Sequence, residues 1–565
     1  MPFTTLFFKS IPYSEFHVMK SILLSIAALL AAPVSALACT SLIAAKGATK
    51  DGSVIITYAA DSHALYGELY HQPGGKHATG TMRKVVEWDT GKYLGEIPEA
   101  PVTYTTLGNM NEHGLAIAES TWGGHAELVD TTGLIDYGSL IYITLQRART
   151  AREAIKVMTD LVKEYGYYSS GESFSIADGD EAWIMELIGK GSKEKGAVWV
   201  ARRIPDGYIS GHANHPRIHK FPLNDPETLY SPDVISFARE MGYFSGDDKD
   251  FSFSLAYSDT DFGALRGCDA RVWSFFNKHS QGMDKYLNWI DNAAEPVMPL
   301  WVKPDEKLSA DDMKWAMRDH FEGTPYDMTQ DIGAGPYAVP YRWRPMTFEV
   351  DGQKYTHERA IATQQTGFTF VARLRSDLPD VAKGLLWFGT DDANTAVYIP
   401  IYCSVKKVPY QLAVGNGDMN NLSWDANFWV NNYVANQAYN RYSQMIPDIR
   451  RVQSSLERGA LEATEEFEAK VATLSAADAA NATQEIADKW AAKATADYKE
   501  LGDYLFVKFM DGNIKRQNED GSFARNPYGL PASPKFGGYD DPRYFRSIVD
   551  ETGDRLKVRK VKPVK

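Results

Sequence analysis

The sequence predicts an α+β protein, with a layered core of strands and a helical C-terminal region. Three observations carry this reading. Strand-like runs recur on both sides of one long helical stretch. Near residue 420 the composition shifts to Ala, Glu, Asp and Lys with few Gly or Pro. The chain has 565 residues, 44% hydrophobic and 24% charged, which suits a globular protein with a sizeable core.

The N-terminus reads Met19-Lys20, then an apolar run over 21–32, then Ala36-Leu37-Ala38. A basic start, a short apolar core and a small-x-small end make residues 1–38 a signal peptide, with Met19 as the functional start. Cleavage after Ala38 would make Cys39 the first residue, so one residue would carry a thiol and a free α-amine. Strands are expected over 40–45 and 53–60, with a Gly- and Asp-containing turn over 46–52. Further strands are expected over 101–107, 114–120, 173–177, 182–187 and 197–202, with one helix over 140–165 between them. Residues 367–374, 384–388 and 395–405 return to strand-like runs. The expected division is a core over 39–420, several amphipathic helices within 421–515, and an irregular tail over 516–565.

A net charge of −13 argues against a nucleic-acid partner, which would need clustered Lys and Arg. The basic run over 555–565 reads as a solvated tail. No other run approaches the ~18 apolar residues of a membrane span. The expectation is an exported protein, periplasmic or secreted, with no stable membrane insertion after cleavage; a homo-oligomer is left open. The three cysteines are Cys39, Cys268 and Cys403. An odd number leaves at least one thiol free. Either Cys268 pairs with Cys403 or both stay reduced, and Cys39 is free.

The first hairpin suggests a chemistry. With its turn centred near Lys50, residues whose numbers sum to about 100 face each other. Asp61 then faces Cys39 and can accept a hydrogen bond from the α-ammonium. An α-amine titrates near ~7.7–8.0 and a thiol near ~8.5, so moving the thiol proton to the amine costs little. The thiolate is the nucleophile.

Cys39-Thr-Ser-Leu-Ile-Ala-Ala-Lys-Gly-Ala-Thr-Lys-Asp-Gly-Ser53 and Tyr58-Ala-Ala-Asp61-Ser62 resemble the start of the dipeptidase A and secernin-like cysteine peptidases. These are N-terminal-nucleophile hydrolases related to penicillin V acylase and bile salt hydrolase. Matching segments follow in order: Gly108-Asn-Met-Asn-Glu-His-Gly-Leu115, Glu119-Ser-Thr-Trp122, Glu172-Ser-Phe-Ser-Ile-Ala-Asp178, Glu181-Ala-Trp-Ile-Met-Glu186, Trp199-Val-Ala-Arg-Arg203 and Ala213-Asn-His-Pro-Arg-Ile218. Glu322-Gly-Thr-Pro-Tyr-Asp-Met328, Leu386-Trp-Phe-Gly389 and Tyr398-Ile-Pro-Ile-Tyr402 extend the similarity over about residues 39–460.

The resemblance implies a four-layer αββα sandwich and hydrolysis of short peptides, most of all dipeptides. It implies Cys39 as nucleophile, its α-amine as base, Asp61 as the residue holding that amine and Asn214 as an oxyanion donor. Arg271 is implied beside the thiolate, and Thr121 near the substrate pocket. Relatives carry Arg-x-x-Asp where this chain has Tyr58, which bears on substrate binding and on the pH profile. The same fold also suits an N-acyl amide hydrolase of the bile-salt or penicillin type.

From another class, a lipid-anchored, non-catalytic binding protein would also begin at a cysteine. A lipobox wants Leu three residues before it, where this chain has Ala36. His212, His215 and His219 have loose metal spacing, but no HExxH accompanies them. There is no GxSxG elbow, GxGxxG or Walker A run. Neither a metal nor an organic cofactor is implied.

Overall fold

The structure is a computed structural model and describes residues 39–561. The signal-peptide reading of 1–38 lies outside the described residues. The first hairpin joins β1 (Ser41–Ala44) to β2 (Val54–Asp61), with Ile43 facing Ile56 and Ala44 facing Ile55. Thr40 and Ala59 extend it by exchanging backbone hydrogen bonds of 3.2 and 2.9 Å. Its turn uses Gly52 at φ 75° and Asp51, whose carboxylate accepts from the Ser53 N–H at 3.1 Å.

Next come β3 (Ala116–Trp122), α1 (Tyr137–Leu145), α2 (Ala151–Tyr165), β4 (Gly171–Ala177), β5 (Ala182–Gly189) and β6 (Ala197–Arg203). The single helix expected over 140–165 is two helices. Thr150 is extended (φ −128°, ψ 162°) and caps α2 by accepting from the Glu153 N–H. Asn111 Nδ2 donates to the carbonyls of Leu145 and Ala148, which would otherwise lack partners past the end of α1. The apolar periodicity runs through the break, so spacing alone could not reveal it.

Strands β3 to β6 belong to an antiparallel eight-stranded sheet, in the order Thr228–Tyr230, β6, β5, β4, β3, Met110–Asn111, Thr106–Leu107, His71–Gln72. Within the expected strand 101–107 only Val102–Thr103 and Thr106–Leu107 are paired. The other main sheet has seven strands. It adds β7 (Ile209–His212), β8 (Thr366–Leu374), β9 (Gly384–Thr390) and β10 (Ile399–Tyr402) to the first hairpin. Its order is Trp301–Val302, β7, β1, β2, β8, β9, β10, again antiparallel. Every residue of β2 and β8 is buried. The two sheets meet where β2 packs on β3 and β4. There Ser41 Oγ lies 2.7 Å from Ser175 Oγ, and the His212 ring bridges Ser120 and Ser175 at 2.6 and 2.8 Å.

Helix α2 packs on β4, β5 and β6. Helix α3 (Ala270–His279) packs on β7. The C-terminal region holds α4 (Asn427–Ala438), α5 (Tyr442–Lys470) and α6 (Ala476–Phe509), with α4 against β9 and both α5 and α6 against β10. The tail expected to be irregular also contains α7 (Pro542–Thr552), started by the Asp541 cap and Pro542 at its first turn. All described residues belong to one compact unit. Among them, no helix is long and apolar enough to cross a membrane. All three cysteines are free thiols, so Cys268 and Cys403 are reduced.

Candidate active site

Cys39 lies at the open end of the first hairpin and is 2% exposed. The observed register sums to 99, one less than expected, so Cys39 stands opposite Ala60 and Asp61 lies one residue beyond. Side chains alternate along a strand, so this slip decides which groups share a face. Cys39, Ser41 and Tyr58 turn toward the eight-stranded sheet, and Thr40 and Asp61 turn the other way. The pairing of Asp61 directly across from Cys39 is therefore corrected. Asp61 still bears on the nucleophile, because the charge of its carboxylate raises the thiol.

On the thiol's face, the Tyr58 hydroxyl lies 3.5 Å from Cys39 Sγ and donates to Glu119 Oε1. Glu119 comes from β3, and Glu172 stands on the neighbouring β4, two residues out of register with it and so on the same face. Thr121 faces Glu172 across the two strands and donates to its Oε1 at 2.5 Å. Burial raises the Cys39 thiol well above its ordinary value, and the Glu119 and Asp61 carboxylates add to the rise. Burial also pushes Glu119 up to about 7. Glu172 is raised by burial and by the charge of Glu119.

On the opposite face, Asp61 accepts from Thr366 Oγ1 at 2.6 Å and from the Arg359 guanidinium. Thr366 is the residue paired with Asp61 across β8 and β2. Burial raises the Asp61 carboxyl, and Arg359 and Thr366 oppose that rise. Arg271, from α3, is 1% exposed. It donates to the Cys39 carbonyl and Thr40 Oγ1, both at 2.7 Å, to the Ala213 carbonyl at 3.0 Å and to Asn214 Oδ1 at 2.9 Å. Its guanidinium thus holds the backbone of the nucleophile together with Asn214. Burial and the nearby Arg359 charge bring it down to about 10.

Asn214 adopts a left-handed conformation at φ 59°, which asparagine tolerates better than most residues. Its N–H donates to Ser120 Oγ at 3.1 Å, and its Nδ2 donates to the Thr121 carbonyl at 2.5 Å. Of the six residues singled out from sequence, hydrogen bonds tie Cys39, Tyr58, Thr121, Asn214 and Arg271 into one neighbourhood, and Asp61 stands on the other face of the same strand, held by Thr366 and Arg359. Glu119, Glu172, Arg359 and Thr366 were not singled out. The two glutamates had a signal, since each is an acid within an otherwise apolar and small-residue strand. Arg359 had none.

The three histidines do not converge. His212 bridges serines, His215 Nδ1 meets Asp269 at 2.9 Å and His219 Nδ1 meets Ser252 at 3.2 Å. Among the described residues no His, Cys, Asp and Glu side chains cluster in a way that could hold a metal ion.

The model of peptidase family C69 matches residues 69–455, more than half of the chain. The match takes in Thr121, Asn214 and Arg271, and begins after Cys39, Tyr58 and Asp61. Among curated proteins, the chain is 25% identical to a "Probable dipeptidase" of Salmonella dublin, over 65% of this chain and 81% of the relative. It is 25% identical to a "Probable dipeptidase A" of Streptococcus pyogenes serotype M3, over 73% and 85%. With a "Dipeptidase A" of Lactobacillus helveticus it shares 23% identity over 66% and 76%. The chain belongs to peptidase family C69, among the dipeptidase A-like cysteine peptidases.

Proposed function

We propose that the protein is an exported hydrolase of dipeptides whose nucleophile is Cys39, made N-terminal by removal of residues 1–38. The observation that carries this reading is the position of Cys39. It is the first residue after the cleavage signal, its thiol lies against Tyr58 where the two sheets meet, and Arg271 holds its carbonyl at 2.7 Å. The fold that goes with this reading is the four-layer αββα sandwich of N-terminal-nucleophile hydrolases. Two antiparallel sheets packed on each other and helices packed on each sheet support it.

In the mechanism, the freed α-amine takes the thiol proton and the thiolate attacks the peptide carbonyl carbon. The carbonyl oxygen becomes an oxyanion, stabilised by the Asn214 amide; a well-placed donor of this kind is worth about 10²–10³ in rate. The protonated α-amine gives its proton to the leaving amine as the C–N bond breaks, and a thioester remains. Water, losing its proton to the same amine, attacks the thioester. The amino acid leaves and the thiol is restored.

Three measurements test this. The intact mass of the exported protein should correspond to a chain beginning with an unmodified Cys39. Cys39→Ala, expressed from Cys39 onward, should fold and lose dipeptide hydrolysis. Dipeptide turnover by that variant at the wild-type rate would sink the mechanism. A form with one extra residue before Cys39 keeps the thiol but lacks the amine, and should be inactive even at saturating substrate.

A further inference from the structure

Two carboxylates beside the nucleophile are left half satisfied. Glu119 and Glu172 are 1% and 0% exposed. Each uses one oxygen: Glu119 Oε1 accepts from Tyr58 and Glu172 Oε1 accepts from Thr121. The Oε2 atom of each is buried with no donor in hydrogen-bond geometry among the described residues, and the two carboxyls lie close enough for Glu119 to raise Glu172. No Lys or Arg among the described residues forms an ion pair with either. Buried acids without a cation are costly to a fold, and a few-atom gap in donors next to a nucleophile is where a ligand's donors belong.

We propose that Glu119 and Glu172 form the receptor for the substrate's free α-ammonium group, which makes the enzyme selective for peptides with an unblocked N-terminus. The inference rests on the dipeptidase reading and deepens it. Its geometry follows from connectivity. In an aminoacyl group the ammonium is two bonds from the carbonyl carbon that Cys39 attacks. Tyr58 hydroxyl is 3.5 Å from Sγ, and the Glu119 carboxylate is the next atom along that hydrogen bond. An ammonium on the attacked residue therefore falls within reach of Glu119 as the thiolate meets the carbonyl.

The ammonium has three donors, enough to meet both orphaned Oε2 atoms and keep one for a further acceptor. Charge across the site enforces the orientation. The cations Arg271 and Arg359 gather on the far face around Asp61 and repel an ammonium placed there. Thr121, partly exposed, forms the rim. Its hydroxyl holds Glu172 and its carbonyl holds Asn214 Nδ2, so the ammonium receptor and the oxyanion donor are built on one residue.

The test compares alanyl-alanine with N-acetyl-alanyl-alanine on the mature protein. The wild type should prefer the free dipeptide. Glu119→Gln keeps the acceptor for Tyr58 but lacks the charge. It should cut that preference, as a ratio of kcat/KM, by about 10–100-fold, the worth of a charge-assisted hydrogen bond. Most of the change should be in KM, and Glu119→Asp should restore part of it. Should Glu119→Gln not fold, the wild type supplies the answer: alaninol should inhibit competitively and N-acetylalaninol should not.

A wild type that cleaves both peptides equally well, or equal inhibition by both amino alcohols, overturns the ammonium receptor while leaving the dipeptidase reading standing. A wild type inert toward every dipeptide overturns both.

Discussion

Tyr58 stands where the family resemblance leads one to expect arginine, and its neighbours show what a tyrosine does there. Burial pushes the Glu119 carboxyl up to about 7, and the hydrogen bond that Tyr58 donates opposes that rise without bringing a positive charge. This has a consequence for stability with a definite sign. In the unfolded chain a glutamate titrates near ~4.3, so between ~4.3 and about 7 the folded state binds the extra proton. Stability then falls as pH rises through that window, by on the order of 4 kcal/mol at 1.36 kcal/mol for each pH unit, and is level above it. Glu119→Gln carries no such proton. Its stability relative to the wild type, from urea denaturation, should be greater at pH 7.5 than at pH 4.5; curves that shift in parallel would contradict the assignment. Tyr58→Phe tests the other partner. It removes the donor to a buried carboxyl, and the expected cost is about 1–3 kcal/mol in the same assay, with loss of the hydroxyl that touches the thiol.

At the scale of elements, the end of β2 is an electrostatic joint. Asp61 pairs in register with Thr366 of β8 and is held by Arg359, which is 298 residues away in sequence. Breaking a buried pair by removing one partner strands the other's charge and costs about 3–5 kcal/mol. Arg359→Met should show a loss of that size, and adding Asp61→Asn should recover much of it, as read by denaturation of the single and double variants. The hairpin itself was legible, because apolar strands flank a Gly- and Asp-containing turn. Its register was legible only to one residue, since a turn of this length does not fix the pairing as a two-residue turn would. That one residue moved the Asp61 carboxylate to the other face from the thiol. The break between α1 and α2 was hidden for a related reason: its causes are the Thr150 cap and a hydrogen bond from Asn111, and neither disturbs apolar spacing. Arg359 could not be read at all, because nothing local marks the residue that a distant strand end will need.

At the scale of the whole molecule, the composition shift near 420 marked real helices, but not that the core depends on them. Helix α6 buries Trp490, Ala491, Ala494, Tyr498, Leu501 and Leu505. Tyr498 donates its hydroxyl to the Thr395 carbonyl at 2.7 Å, just before β10. Glu457 of α5 pairs with the buried Arg318 at 2.6 Å and accepts from the Tyr398 N–H at 3.0 Å. Removing these helices would uncover β9 and β10 and leave Arg318 buried without its carboxylate, and both changes are costly. The tail is different: α7 buries none of its residues, and most of 514–561 is exposed. Two truncations should therefore part company. A chain ending at Asn513 should stay soluble, keep most of its dipeptide hydrolysis and lose at most a few degrees in Tm. A chain ending at Asn421 should aggregate or bind a hydrophobic dye, and lose activity although every residue of the proposed site is present. Equal behaviour of the two chains, in dye binding and in initial rate, would show that α4, α5 and α6 do not hold the sheet that carries the nucleophile.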